Sequence, residues 1–145
     1  MSFVYTPAKR RLFEAGFDLR EAGSDIRLIL VMTNTTADTF QDTEFVSGVT
    51  LDEYDGTGYA RKALASQAVN QDDPNNRAEF DADDVLWSIL GAGSRPCQGM
   101  VLYKHVTNDG DSPLIAFIDT GGFPFSGSGI DIQVTWNTEG IVQAT

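Results

Sequence analysis

The side chains with the greatest chemical reach in this chain are one histidine, one cysteine, two tryptophans and a set of clustered aspartates. His105 stands alone, which removes the two-histidine zinc motif and the two-histidine iron triad. A Ser-His-Asp relay would still use a single imidazole, but it needs its serine on a strand-to-helix elbow of the G-x-S-x-G type. The nearest string, Gly127-Ser128-Gly129, precedes a strand instead. His105 is therefore read as a polar residue beside Lys104 on a strand face. Cys97 has no second cysteine to pair with, so an intrachain disulfide and a cysteine-based zinc site are both excluded. Folding is expected not to depend on an oxidising compartment.

Asp81, Asp83 and Asp84, with Asp72 and Asp73 nearby, offer carboxylate oxygens of the kind that hold calcium, but without the spacing of a calcium-binding loop. Asp109-Gly110-Asp111 reads as a turn first and a ligand second. Paired carboxylates also serve glycosidases, and Trp87 or Trp136 would stack on a sugar; both tryptophans sit at positions that look like core. The glycine-rich strings precede no helix and no phosphate-loop lysine follows them. Arg61-Lys62 and Lys9-Arg10-Arg11 are the basic clusters, read as solvated faces or ion-pair donors. No catalytic reading survives, and neither a cofactor nor a metal is expected.

The elements that would position these groups are short. Thr6-Pro7 is a helix start, and residues 8–15 read as a short helix with Leu12 and Phe13 as its apolar side and Gly16 as its stop. Residues 25–33 (DIRLILVMT) carry branched residues on both faces, the pattern of a strand buried on both sides. Residues 34–58 form a long acidic connection, with helical turns expected near 43–47 and 51–54. Strands follow at 59–69, 77–81, 99–107, 113–119, 130–136 and 140–144, residues 85–90 read as either a strand or a single turn, and Asn108-Asp109-Gly110 is the turn of a hairpin. The 130–136 strand alternates cleanly, with Ile130, Ile132, Val134 and Trp136 on one face. The fold class is mainly β: a single domain over residues 1–145, an antiparallel β-sandwich of jelly-roll-like kind. Residues 1–24 serve as an amino-terminal arm and short helix.

Over 145 residues, 10 Lys and Arg stand against 21 Asp and Glu, a formal charge of −11. That argues against nucleic acid, which favours a basic stripe, and against anionic lipid. No apolar run approaches the roughly 18–20 residues that span a bilayer, and no secretory signal is expected from the amino end. The acidity concentrates in the connections, while the strands are nearly uncharged.

Phenylalanines placed in connections are the best partner-binding candidates. Phe123 and Phe125 sit in a Gly/Ser loop, where they either fold back over the open end of a sandwich or reach a neighbouring subunit. Phe40 and Phe45 in the acidic connection, and Phe3 and Tyr5 in the amino-terminal arm, pose the same choice.

Four stretches, GYARKALAS from residue 58, FDADDVLWS, the hairpin GMVLYKHV…SPLIAFID and the terminal GIDIQVTWNTEGIVQ, resemble a family of small virion proteins of tailed bacteriophages. The similarity spans most of the chain, and its motifs mark strands and turns. Residues 34–54 and 71–76 depart most from it. The resemblance implies a non-enzymatic virion protein, a capsid decoration or cement protein that binds and stabilises the head exterior. Its partners would be the major capsid protein and copies of itself, as a dimer or trimer, with no nucleic acid and no membrane. It would be made in the host bacterial cytoplasm and reside in the virion. Two alternatives remain open: a neck or tail accessory protein, and a carbohydrate-binding module resting on Trp87, Trp136, Tyr54 and Tyr59.

Overall fold

The computed structural model describes residues 1–14, 16, 18–20 and 25–145. In chain order the elements are β1 (Phe3–Val4), α1 (Thr6–Phe13), β2 (Asp25–Met32), β3 (Lys62–Ala63), β4 (Ala68–Asp72) and β5 (Arg77–Asp81). They continue as β6 (Val85–Leu90), β7 (Cys97–His105), β8 (Leu114–Ile118), β9 (Ile130–Val134) and β10 (Val142–Ala144). The protein is mainly β, built from antiparallel sheets with one short helix near the amino end, as a small β-sandwich.

The principal sheet has the order β1-β8-β7-β2-β3. Its central strands are buried on both faces, as the run of branched residues in β2 requires. Ile26, Leu28 and Leu30 of β2, with Met100 and Leu102 of β7, point to one side and pack with Phe80, Trp87, Leu90 and Val142. Ile29 and Val31, with Val101 and Tyr103, point to the other and pack with Tyr5, Ala8, Ala37 and Val46. The first side is covered by the remaining strands; the second is covered by α1 and the acidic connection. Residues 37–51 of that connection are thus a layer of the fold, while Tyr54 belongs to the first side. Each large apolar side chain so enclosed contributes about 1.5–3 kcal/mol.

The covering strands pair as β10-β5-β4 and as β6-β9, yet their registers join them end to end. Val85 of β6 faces Val134 of β9, and Phe80 of β5 faces Val142 of β10, in the same antiparallel sense. β5 and β6 are therefore two halves of one interrupted strand, and β9 and β10 are two halves of its partner. The partner carries three extra residues across the break. Asp84 closes the gap: its carboxylate accepts hydrogen bonds from Trp136 N (3.0 Å) and Gln133 Nε2 (3.2 Å). The Trp136 indole donates to the carbonyl of Asp83 (3.0 Å). The aspartates at 81–84 are thus placed by a break in a ladder, and among the described residues no group of acidic, His and Cys side chains converges as a metal site.

Several local expectations are corrected. The helix begins at Thr6, two residues before the expected range, and the capping position moves from Thr6 to Tyr5, with no side-chain cap. Leu12 and Phe13 face solvent, Phe13 at 94% exposure, while the side resting on the sheet presents Ala8. That rotation is fixed at the helix start, where Tyr5 N bonds to the Ile115 carbonyl, and along its length by ion pairs of Arg10 and Arg11 with Glu44. Ala15, the expected last helical residue, lies outside the described residues. The expected strand over 59–69 is cut in two because Ser66 adopts a left-handed conformation (φ 55°). Residues 51–54 are not helical: Glu53 bridges to Val31, and Tyr54 N bonds to the Leu30 carbonyl. The other expected turn is a 3-10 turn at Val46–Gly48. Among the described residues no helix is long and apolar enough to cross a membrane.

Candidate functional site

β8 ends at Ile118 and the chain then turns through residues 119–129 to begin β9. Gly121 and Gly122 both take positive φ (81° and 116°), which only glycine adopts without strain. The returning segment hydrogen-bonds to the start of β7: Cys97 N donates to the Phe125 carbonyl (2.7 Å), and Phe125 N donates back to Cys97 (2.9 Å). This anchors Phe125 against Tyr54 (ring centroids 6.3 Å apart) and Phe123 against Phe125 (5.5 Å). Both phenylalanines remain partly exposed. They form one wall of an open cleft of about 760 Å³. Met100 and Ile118 of the principal sheet floor it. The opposite wall is made of residues 131–137, where Ile132, Val134 and Trp136 lean inward against the core.

A second cluster holds the loops in place. Arg61 makes a two-point contact with Glu53 (2.9 and 2.8 Å) and another with Asp109 (2.6 and 3.0 Å), while its guanidinium lies 5.6 Å from the Tyr103 ring centroid. Tyr59 donates to Glu53 and accepts from Leu30 N. The hydrogen bonds to Asp109 and Glu53 raise the Arg61 pKa beyond its already high ordinary value, and Arg61 in turn holds Asp109 below the usual carboxylate range. Burial, with Glu53 beside it, pushes the Tyr59 hydroxyl upward, so it stays protonated as a donor. Arg61, the first residue of the basic pair at 61–62, therefore acts as an ion-pair donor. Its partners lie 8 and 48 positions away, which sequence spacing does not disclose.

Tyr54 is a third organising residue. Its hydroxyl donates to the Gly91 carbonyl (2.8 Å) and accepts from Gly93 N (2.9 Å) and Gly127 N (3.1 Å). The backbones meet so closely that a Cβ on Gly127 would lie 2.2 Å from the Gly91 oxygen.

The residues expected to meet partners divide by burial. Tyr5 is fully buried, its hydroxyl donating to the Ala37 carbonyl (2.7 Å), so it is a core residue rather than a contact residue. Phe3 packs edge-on against Tyr5 (5.1 Å) and beside Phe117 (5.8 Å). Phe45 lies under the Arg11 guanidinium at 5.8 Å. Phe40 is half exposed. Phe123 and Phe125 fold back over the end of the sandwich. Of the six, these last two alone share a cleft.

Trp87 is fully buried, with its indole N–H on the Ala60 carbonyl (2.8 Å), and Tyr54 is buried too. Those two are not available to stack on a sugar. Trp136 belongs to the cleft wall, a role the sequence pointed to only through the clean alternation of 130–136 beside a Gly/Ser loop. His105 ends β7 with its ring perpendicular to Tyr103 (6.3 Å). Asp111 caps its own turn, accepting from Thr107 N (3.0 Å) and Asn108 N (2.8 Å).

Comparison with family models, with curated proteins and with solved structures finds no match to this chain.

Proposed function

We propose that this protein is a non-enzymatic structural component of a bacteriophage virion, which binds the outside of the head and stabilises it. The observation that carries this reading is where the polar side chains are spent. Arg61, Glu53 and Asp109 tie the acidic connection to the β7–β8 turn, Tyr54 ties three loops together, and Asp84 closes a sheet. These groups build a rigid scaffold with an acidic coat, the requirement of a protein whose work is to hold other subunits in place. The resemblance of its strand and turn motifs to phage virion proteins supports the same role. So does the arithmetic of a shell, where many equivalent copies convert modest contacts into firm attachment.

The test is quantitative mass spectrometry of purified particles from a phage that encodes this chain, with heat challenge of particles lacking it. Head decoration predicts hundreds of copies and a lower disruption temperature without them. A count of about a dozen or fewer, as a symmetric connector requires, would move the protein to the neck or tail. Absence from the particle would end the virion reading.

A further inference from the structure

We propose that the free edge of β9, with the cleft beside it, is a docking groove for an extended basic segment of a partner protein, which adds to the sheet as a further strand. This goes beyond the virion reading, since it concerns the chemistry of the segment whichever protein carries it.

Every residue from 131 to 137 lines the cleft, although side chains alternate between faces along a strand. Consecutive lining means that the wall is the strand's backbone edge. β9 pairs with β6 alone, and among the described residues it makes no backbone hydrogen bond beyond that pairing. Its outer N–H and C=O groups are thus presented to the cleft.

Exposed edges are normally defended by shortness, a lysine, a proline or a bulge. β1 and β3, the edges of the principal sheet, are two residues each, and β4 runs into a 3-10 turn containing Pro74. β9 has none of these. The irregularity of its ladder lies on β6, between Trp87 and Leu90, where Ile89 takes a positive φ (53°).

Met100 and Ile118 floor the cleft and Phe123 and Phe125 form the wall facing the edge, so alternate side chains of an added strand would descend among apolar groups. The intervening side chains would face outward, where charge selects them. No Lys or Arg lines the cleft. Asp131 accepts from Ile89 N and Asp84 from Trp136 N, and neither has an ion-pair partner among the described residues. Asp119 and Glu139 flank the lining residues in sequence but are paired with the amino terminus and with Arg77, so the field at the edge comes from Asp131, which lines the cleft, and from Asp84 beside it. A segment with Lys or Arg at alternate positions meets this field favourably. A second copy, itself at −11, would bring like charges together at the join.

The probes are the capped heptapeptides KVKVKVK and KFKFKFK, a glutamate version of each, and a version of each with a central proline, titrated into isotopically labelled protein. The lysine peptides should shift amides of residues 120–125 and 131–137, weaken at least tenfold from 50 to 300 mM salt, and weaken about tenfold against Asp131→Lys. The glutamate and proline versions should not bind. Asp131 is exposed but accepts from Ile89 N, so the amide spectrum of Asp131→Lys should differ from the parent only around Ile89 and residues 130–132 and match it elsewhere. The proposal is overturned if neither lysine peptide shifts these amides at millimolar concentration, or if the glutamate peptides bind equally. It is overturned also if the shifts map elsewhere, or if the protein alone shows concentration-dependent shifts at β9 from self-pairing.

Discussion

The guanidinium of Arg61 and the carboxylate of Asp109, 48 positions apart, meet through two hydrogen bonds of 2.6 and 3.0 Å. The same guanidinium binds Glu53, so one side chain joins the acidic connection, the approach to β3 and the β7–β8 turn. Paired charges of this geometry are worth more than isolated surface pairs because each hydrogen bond is charge-assisted and directional.

Replacing Arg61 by Met leaves two half-buried carboxylates facing each other over Tyr103. A loss of about 2–3 kcal/mol is expected, read as a lower urea midpoint with an unchanged slope. Arg61→Lys should recover less than half of it, because an ammonium cannot make both two-point contacts. Full recovery by lysine would show that net charge alone matters there.

Asp109 and Asp25 are both held below the usual carboxylate range, Asp109 by Arg61 and Asp25 by Arg27. A carboxylate whose folded pKa is depressed gives stability that is present above its unfolded value, near pH 4, and is lost as pH falls through the lower folded value. Unfolding free energy should therefore lose these contributions progressively below about pH 5. Asp109→Asn should be less stable at neutral pH and should converge on the parent as the pH is lowered toward 2. Parallel curves down to that pH would remove Asp109 from the acid transition.

Tyr54→Phe deletes one donor and leaves Gly93 N and Gly127 N without their acceptor. A cost of about 1–3 kcal/mol is expected, measured by thermal unfolding. Gly127→Ala should cost more, since its Cβ meets backbone rather than a movable side chain. If the alanine variant were the milder of the two, the close approach of these loops would be wrong.

Burial pushes the Cys97 thiol up to about 12. A disulfide reagent should accordingly fail to label the native protein at pH 8 and should label it quickly in denaturant. Labelling of the native state at a free-thiol rate would mean that β7 opens at the Phe125 contact.

The fold was legible wherever side-chain period decided the matter. Residues 25–33 announced a strand covered on both faces, residues 77–81 a strand with its observed bounds, and the turn at 108–110 a hairpin. The breaks were hidden. Ser66 turns left-handed in a run that otherwise reads as strand, and the halves of β5/β6 look like separate strands until registers are compared. Residue type alone singles out the partner-binding candidates and burial sorts them: Tyr5 differs from Phe123 by what covers it, which lies far away in sequence. Trp136 reads as core and does pack against it; its second place, on a cleft wall, is hidden because alternation does not disclose which strand edge is unpaired. Arg61 reads as a solvated or ion-pairing basic group whose acceptors, Glu53 and Asp109, only the folded chain brings near.

The interruption shared by β5/β6 and β9/β10 has a consequence for how this chain tolerates change. Ladder registers on the two sides of the break are set independently, one by Val85 with Val134 and the other by Phe80 with Val142. Asp84 and Trp136 close the first half before the turn at 137–140 begins. Residues can thus be inserted or deleted in that turn without turning any strand over to its other face. It is the position in the outer layer where a loop graft or a fused tag should be accommodated.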